Sequence, residues 1–229
     1  MSRSLMSVKK VALSLHVSTR EVVRMAEHRI LPGTKIRGQW QFRTGDIWNW
    51  IEENMHALPA RRLKDRHPET TGGLLITTEL REIAVTVDLV AKTKSSVLRK
   101  LAKLAEAIDP FIDAQILAEK LIERESQGTT ALQDGVAVPH SPCPLYSEGT
   151  ILAAARTSQG IVFGERGGGL TDLFFLVCCP DQADHLLHLG RLCRLLIDRK
   201  LQEQLRQAAD AAEFVEAIRC AEEELCQTD

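Results

Sequence analysis

The chain has 229 residues, enough for one or two domains. It is 44% hydrophobic and 26% charged, with a formal net charge of −2, which excludes a disordered tail, a fibre and a disulfide-stapled mini-protein. No apolar run reaches the ~18–20 residues of a spanning helix. The start, MSRSLMSVKK, lacks the apolar core of a secretory signal, so the expectation is a cytosolic (cytoplasmic) protein with no membrane contact.

Charge is unevenly placed. Residues 1–70 hold 13 Lys and Arg against 7 Asp and Glu, whereas residues 71–229 hold 16 against 24. All three tryptophans (Trp40, Trp48, Trp50) lie in the first stretch. Between the halves, ALPARRLKDRHPETTGG has no apolar periodicity and reads as a basic linker over 57–73. The expected organisation is a basic domain over 1–56 and a larger acidic one over 74–229.

In the first domain Val8, Val11, Ala12 and Leu15 recur at helical spacing from Ser7. After a break at His16-Val17, Ser18 with Glu21 forms a capping-box signature. It opens a second helix, Thr19 to about His28, which buries Val22, Val23 and Met25 or Ala26. Two short helices joined by a tight turn suggest a helix-turn-helix. In KIRGQWQFR, Gly38 sits in a turn between two extended pieces, with Trp40 and Phe42 on one face and Gln41 and Arg43 on the other. Thr44 can cap a third helix that buries Ile47, Trp48 and Ile51. The run from Ser7 to Ile51 resembles the excisionase or MerR-like winged-helix family, through its RGQWQFR wing and the DIxxW that follows. The resemblance implies DNA binding, with Ser18, Thr19, Arg20 and Arg24 on bases or phosphates and Lys35, Arg37, Gln39 and Arg43 as wing contacts. The alternative is a solvated face on a protein-binding module. Because one such module buries little surface, a homodimer or a second contact is needed for useful affinity. The linker residues Arg61, Arg62, Lys64 and Arg66 could supply phosphate contacts.

From Leu74 strands and helices alternate, which gives an α/β class with a mixed sheet and flanking helices. REIAVTVDL alternates and predicts a short strand. Ser95 starts a helix carrying Val97, Leu98, Leu101, Leu104, Ala105 and Ile108 on one stripe. Asp113 caps another, with Ile116, Leu117, Leu121 and Ile122 inward. TILAAA and LFFLVCC are continuous apolar runs suited to strands covered on both faces. The pattern from Asp181 to Cys226 is helical, and its AEEEL segment reads as a solvated face.

The loop SQGTTALQDGVAVPHSPCP offers Thr129 and Thr130, a turn at Gly135, a strand over Val136–Val138, and then His140 behind Pro139. Histidine is nucleophilic and neutral near pH 7; by residue type alone, a functional and a structural His140 remain equally open. LIERESQGTTALQDGVAVPH resembles the type 2 enzyme IIA domain of the bacterial phosphotransferase system (fructose, mannitol and nitrogen-regulatory class). GIVFG, DLFFLVCCP and the histidine of DHLLHLGRLCRLL extend the likeness over about Leu74 to Ile218. The resemblance implies a phosphoryl carrier. His140 would take phosphate from an HPr-like carrier protein, with Arg124 balancing the charge and His185 bonding the phosphoryl group. Thr130 would orient His140 or bond a phosphate oxygen. Where the family has Gly and a basic residue after its histidine, this chain has Ser141, Pro142, Cys143 and Pro144, which puts the donor in question.

Other features carry less. The six cysteines form no CxxC pair and read as buried small hydrophobes. His185 and His188, three apart, could join His140 as metal ligands, but the enzyme IIA likeness already accounts for two of the three. No metal and no cofactor is expected. GERGGGL lacks the Lys-Ser/Thr of a phosphate-binding loop. The resulting expectation is a regulator in which His140 modulates a DNA-binding domain. Its rivals are a phosphocarrier serving an enzyme IIB and a binding regulator that has lost phosphorylation.

Overall fold

The computed structural model describes residues 5–15, 19–47, 50, 75–141, 149–164, 169–179 and 182–228. Strand β1 (Leu5–Ser7), helices α1 (Val8–Leu15) and α2 (Thr19–Glu27), and strands β2 (Thr34–Ile36) and β3 (Gln39–Arg43) come first. The sheet order is β1-β3-β2, antiparallel throughout. The hairpin turns through Arg37 and Gly38, both at positive φ (50° and 82°), the two-residue turn whose twist suits paired strands. Trp40 and Phe42 share a face, with ring centroids 6.3 Å apart. Phe42 closes a small core with Met6, Val11, Ala12, Leu15, Val22, Ala26, Leu31 and Ile47. Strand β1 had no sequence signal; it is a strand because Met6 pairs opposite Phe42 and enters this core. Val23 is only half-buried. The turn over 44–47 is helical from Thr44 itself, which is buried. Trp50 is also buried, while Ser18, Trp48, Ile51 and the linker over 57–73 lie outside the described residues.

The second region holds α3 (Ile76–Glu79), β4 (Val85–Thr86), α4 (Lys94–Ile108), α5 (Ala114–Gln127) and β5 (Val136–Ala137). It continues through β6 (Ile151–Ile161), β7 (Thr171–Cys178), α6 (Gln182–Leu196), α7 (Arg199–Gln207) and α8 (Ala211–Thr228). The four-stranded sheet runs β4-β6-β7-β5, with β6 and β7 antiparallel and the outer pairs parallel. The apolar runs form the central pair, and from Ile151 to Ala155 and Leu173 to Cys178 every side chain is buried, as a doubly covered sheet requires. Helix α4 packs on β6, α6 on β7 and α8 on β4.

Several local expectations are corrected. REIAVTVDL gives a 3-10 turn over Glu82–Ala84 and only two strand residues, because β4 pairs with β6 at Val85 and Thr86 alone. Helix α4 begins at Lys94 because Thr93 is the cap, its hydroxyl accepting from Ser96 N at 3.2 Å. Asp113 caps α5 through Gln115 and Ile116 N–H, as expected. Ile116 itself is 50% exposed, on the side of α5 turned from the core. Among the cysteines, Cys178, Cys179 and Cys193 are buried, but Cys220 is exposed on α8 and Cys226 is partly so; Cys143 lies outside the described residues.

The largest correction concerns Glu222 in AEEEL, which is 0% exposed. Its carboxylate accepts from Leu75 N, Ile76 N and Thr77 N at 2.9 Å and from Thr77 Oγ1 at 2.8 Å. It satisfies the N–H groups that start α3, which no local side chain caps.

Candidate functional site

The segment leading to His140 is fixed at both ends. At its start, Asp134 and Gly135 adopt positive φ (58° and 80°). The turn is clamped by Arg206, which donates to Asp134 O at 2.6 Å and to both Asp172 oxygens at 2.8 Å. That ion pair holds the Arg206 guanidinium above its ordinary pKa. Gly135 O accepts from Asp172 N and Leu173 N, which sets β5 against β7 in register. Pro139, unable to donate, accepts from Val177 N at 3.1 Å, and the pairing reaches His140 opposite Val177.

His140 is 1% exposed, and its Nδ1 lies 2.9 Å from Val138 O. A carbonyl only accepts, so the neutral ring carries its proton on Nδ1 and its lone pair on Nε2. Val138 is itself held, donating its N–H to Thr130 O at 3.0 Å. Thr130 is held in turn by the buried Glu125, which accepts from Thr130 N at 3.0 Å and Thr130 Oγ1 at 2.6 Å. Lys94 Nζ, 3.3 Å from Glu125 Oε1, balances that carboxylate. The Thr130 hydroxyl therefore gives its one proton to Glu125, and Thr130 meets the histidine segment through its carbonyl. Glu125 follows Arg124 in the LIERESQGTT segment, yet residue type alone did not show that its carboxylate turns inward.

His185 and the groups that act on it electrostatically stand next to this segment. His185, on α6, is 1% exposed and stands edge-on to His140 with ring centroids 5.3 Å apart. Burial, then His140, His188 and Arg124, hold its pKa well below the ordinary 6.5, so the ring is neutral at pH 7. Arg124, near the end of α5, is tied by one N–H to Gly128 O at 3.0 Å. A guanidinium has five N–H groups, so this tie does not preclude a fork onto a phosphoryl group. His188, one turn along α6, is buried and donates Nδ1–H to Asp184 O at 2.7 Å. Among the described residues no three of His, Cys, Asp or Glu stand together as a metal cluster. Ser141, first residue of the divergent flank, is buried; residues 142–148 lie outside the described residues.

The residues expected on nucleic acid form no part of this cluster. Thr19, Arg20 and Arg24 on α2, and Lys35, Arg37, Gln39 and Arg43 on the hairpin, are all exposed. Lys35 lies over the Trp40 ring at 5.1 Å.

A mixed sheet with a histidine at the end of an outer strand and a second histidine on the helix beside it defines a distinct α/β class. The chain belongs to the type 2 enzyme IIA family of the phosphoenolpyruvate-dependent sugar phosphotransferase system, whose family model matches residues 79–220. It is 35% identical over 130 residues to a nitrogen regulatory protein of Bradyrhizobium diazoefficiens, covering 56% of this chain and 84% of that protein. A nitrogen regulatory protein of Pseudomonas aeruginosa is 29% identical over 58% of this chain and 86% of its own. Among solved structures, nitrogen regulatory protein IIA-Ntr from Neisseria meningitidis shares the fold with a TM-score of 0.59 at 24% identity, covering 63% of this chain and 99% of that one. The Escherichia coli complex of enzyme IIA and phosphorylated enzyme IIB for mannitol gives 0.53 at 17% identity, covering 62% and 99%. No helix among the described residues is long and apolar enough to cross a membrane.

Proposed function

We propose that the chain is a phosphotransferase-system regulator in which His140 accepts a phosphoryl group and thereby acts on a DNA-binding domain over 1–56, with 57–73 as the linker. The observation that carries the first half is the Nδ1 bond of His140 to Val138 O, which leaves the lone pair on Nε2. In the transfer, Nε2 forms a bond to phosphorus as the donor histidine's N–P bond breaks and the donor nitrogen keeps the electron pair. His140 holds its Nδ1 proton on Val138 throughout. Arg124 and a donor N–H of neutral His185 stabilise the phosphoryl oxygens as charge builds, so catalysis is positioning plus electrostatics. The transferred phosphoryl oxygens carry about two negative charges, offset in part by the ring, which becomes an imidazolium while Nδ1 keeps its proton.

The DNA half rests on the order of α1, α2 and the β2–β3 hairpin, and on seven exposed candidate contacts among the described residues. They fit α2 in a major groove, with the hairpin as a wing on the adjacent backbone. In this reading the chain is a winged helix-turn-helix joined to an enzyme IIA domain.

The test is intact mass after incubation with phosphoenolpyruvate, enzyme I and HPr, comparing wild type with His140→Ala. One acid-labile phosphate, absent from the variant, supports the phosphoacceptor; no phosphate on either protein counts against it and leaves a different donor or a retired site, for which the altered flank that begins at buried Ser141 is the cue. DNA binding is tested separately by titration at two salt concentrations, because phosphate contacts impose a steep salt slope. A second reading, onward transfer to an enzyme IIB, is favoured by the fold shared with the mannitol IIA–IIB complex. Passage of label to a IIB protein, with DNA affinity unchanged, would support it.

A further inference from the structure

Helix α6 carries His185 and His188, and it is covered on every side. No residue from Asp184 to Leu196 is exposed, although the stretch includes Arg191 and Arg194. Arg191 is 4% exposed and, among the described residues, its Nε has no hydrogen-bond acceptor; Nη1 reaches Cys226 Sγ at 3.4 Å. A helix in one layer over a sheet normally turns its arginines to water. Here β7, α3, α7, α8 and α1 all pack against it. Of these, α1 lies wholly outside the enzyme IIA fold, which spans residues 79–220. The Neisseria relative is matched over 99% of its length by 63% of this chain, so the layer contributed by α1 is an addition to that fold.

Two further observations bear on what this contact does. His140 and His185 are each 1% exposed, yet transfer between two proteins requires a donor histidine to approach Nε2 of His140. The two partners are also of opposite charge: residues 1–50 hold nine Lys and Arg against three Asp and Glu, and residues 71–229 hold 16 against 24.

We propose that the seat of α1 on α6 is an interaction surface whose natural partner is the chain's own N-terminal module, and that its occupancy is coupled to the phosphorylation of His140. The inference rests on His140 being the phosphoacceptor. In the docked form α6 is held inward, with His185 packed on His140 and the nucleophile closed off. A phosphoryl group between these rings needs space and reorients His185, and α6 must give. The same movement loosens the seat of α1. Releasing the module also returns α6 to a partly solvated state, in which the unpaired Arg191 Nε gains water. By linkage the effect is reciprocal: whatever draws the N-terminal module away favours phosphorylation, and phosphorylation favours a released module. The exposed faces of α2 and the hairpin are not the docked surface, so the coupling acts through the tether and mobility of the module and not by blocking its candidate DNA contacts.

The experiment uses the full chain before and after phosphorylation by phosphoenolpyruvate, enzyme I and HPr, with His140→Ala carried through the same incubation. Intact mass reports phosphate, small-angle scattering reports the radius of gyration, and hydrogen exchange reports peptides over 184–196. The expected result is phosphate on wild type, a larger radius of gyration, and α6 exchange faster by about 5–150-fold, the usual range of coupling between sites; His140→Ala changes in none of these. Phosphate with unchanged radius and α6 exchange overturns the coupling and leaves the phosphoacceptor standing. Absence of phosphate overturns the phosphoacceptor and the coupling together.

Discussion

His185 shows how much one side chain's surroundings decide. Its low pKa comes first from burial and then from His140, His188 and Arg124. The unfolded chain binds a proton on this ring near pH 6.5, whereas the folded chain resists it. Below pH 6.5 the unfolded state therefore holds more protons, and stability falls until the native ring also protonates. Denaturant midpoints measured from pH 7.5 to 5 should decline on the acid side, and His185→Gln should flatten that decline. A slope equal in both proteins would mean that other groups dominate. Gly135 is a second single-residue case. At φ +80° a Cβ would lie 2.9 Å from Arg206 Nη2 and 3.0 Å from Asp172 Oδ1, so Gly135→Ala combines backbone strain with a broken clamp. Equilibrium unfolding should show a loss of about 1–3 kcal/mol, and, if His140 is the phosphoacceptor proposed above, slower phosphorylation, because β5 sets the position of His140.

At the scale of elements, the cap on α3 has its source in the last helix. Glu222 is 147 residues from Leu75 and accepts four hydrogen bonds at the start of α3. Glu222→Ala should cost at least about 2 kcal/mol, since several donors lose a charged acceptor; Glu223→Ala removes only a surface pair with Arg219 and should cost under about 1 kcal/mol. Urea denaturation of the two variants makes the comparison. Nothing in AEEEL distinguishes these carboxylates, because the selection is made by a helix end far away in the chain. Elements with their own periodicity or caps were legible: α5 with Asp113, and β6 and β7 as unbroken apolar runs. Elements made by a neighbour were not. β1 exists because β3 offers an edge, and β4 ends after two residues because its pairing with β6 does.

For the whole molecule, the central strands and α6 form one core that contains three of the cysteines. Burial pushes the Cys193 thiol up to about 12, and Cys178, at the end of a central strand, and Cys179 after it are buried too. In native protein, iodoacetamide should label Cys220 on the surface and spare these three, whose modification should follow the unfolding rate in denaturant. Labelling of Cys193 at the native rate of Cys220 would show that α6 opens far more readily than its packing implies.

Composition and charge placement by themselves separated a basic first part from an acidic second one, and the likeness of GTTALQDGVAVPH to the enzyme IIA motif singled out His140, because these are properties of the chain in one dimension. The same holds for helix periodicity, Asp113 and the buried strand pair. Only the tertiary structure decided that His185 stands edge-on to His140, that Arg124 acts electrostatically on His185, that Thr130 bonds Glu125 and offers its carbonyl to Val138, that Glu222 is a cap and that α1 covers α6. Each of those depends on which distant groups meet in a space with little water, where an unmet donor or a lone charge is costly. A sequence shows which groups are available, and packing chooses their partners.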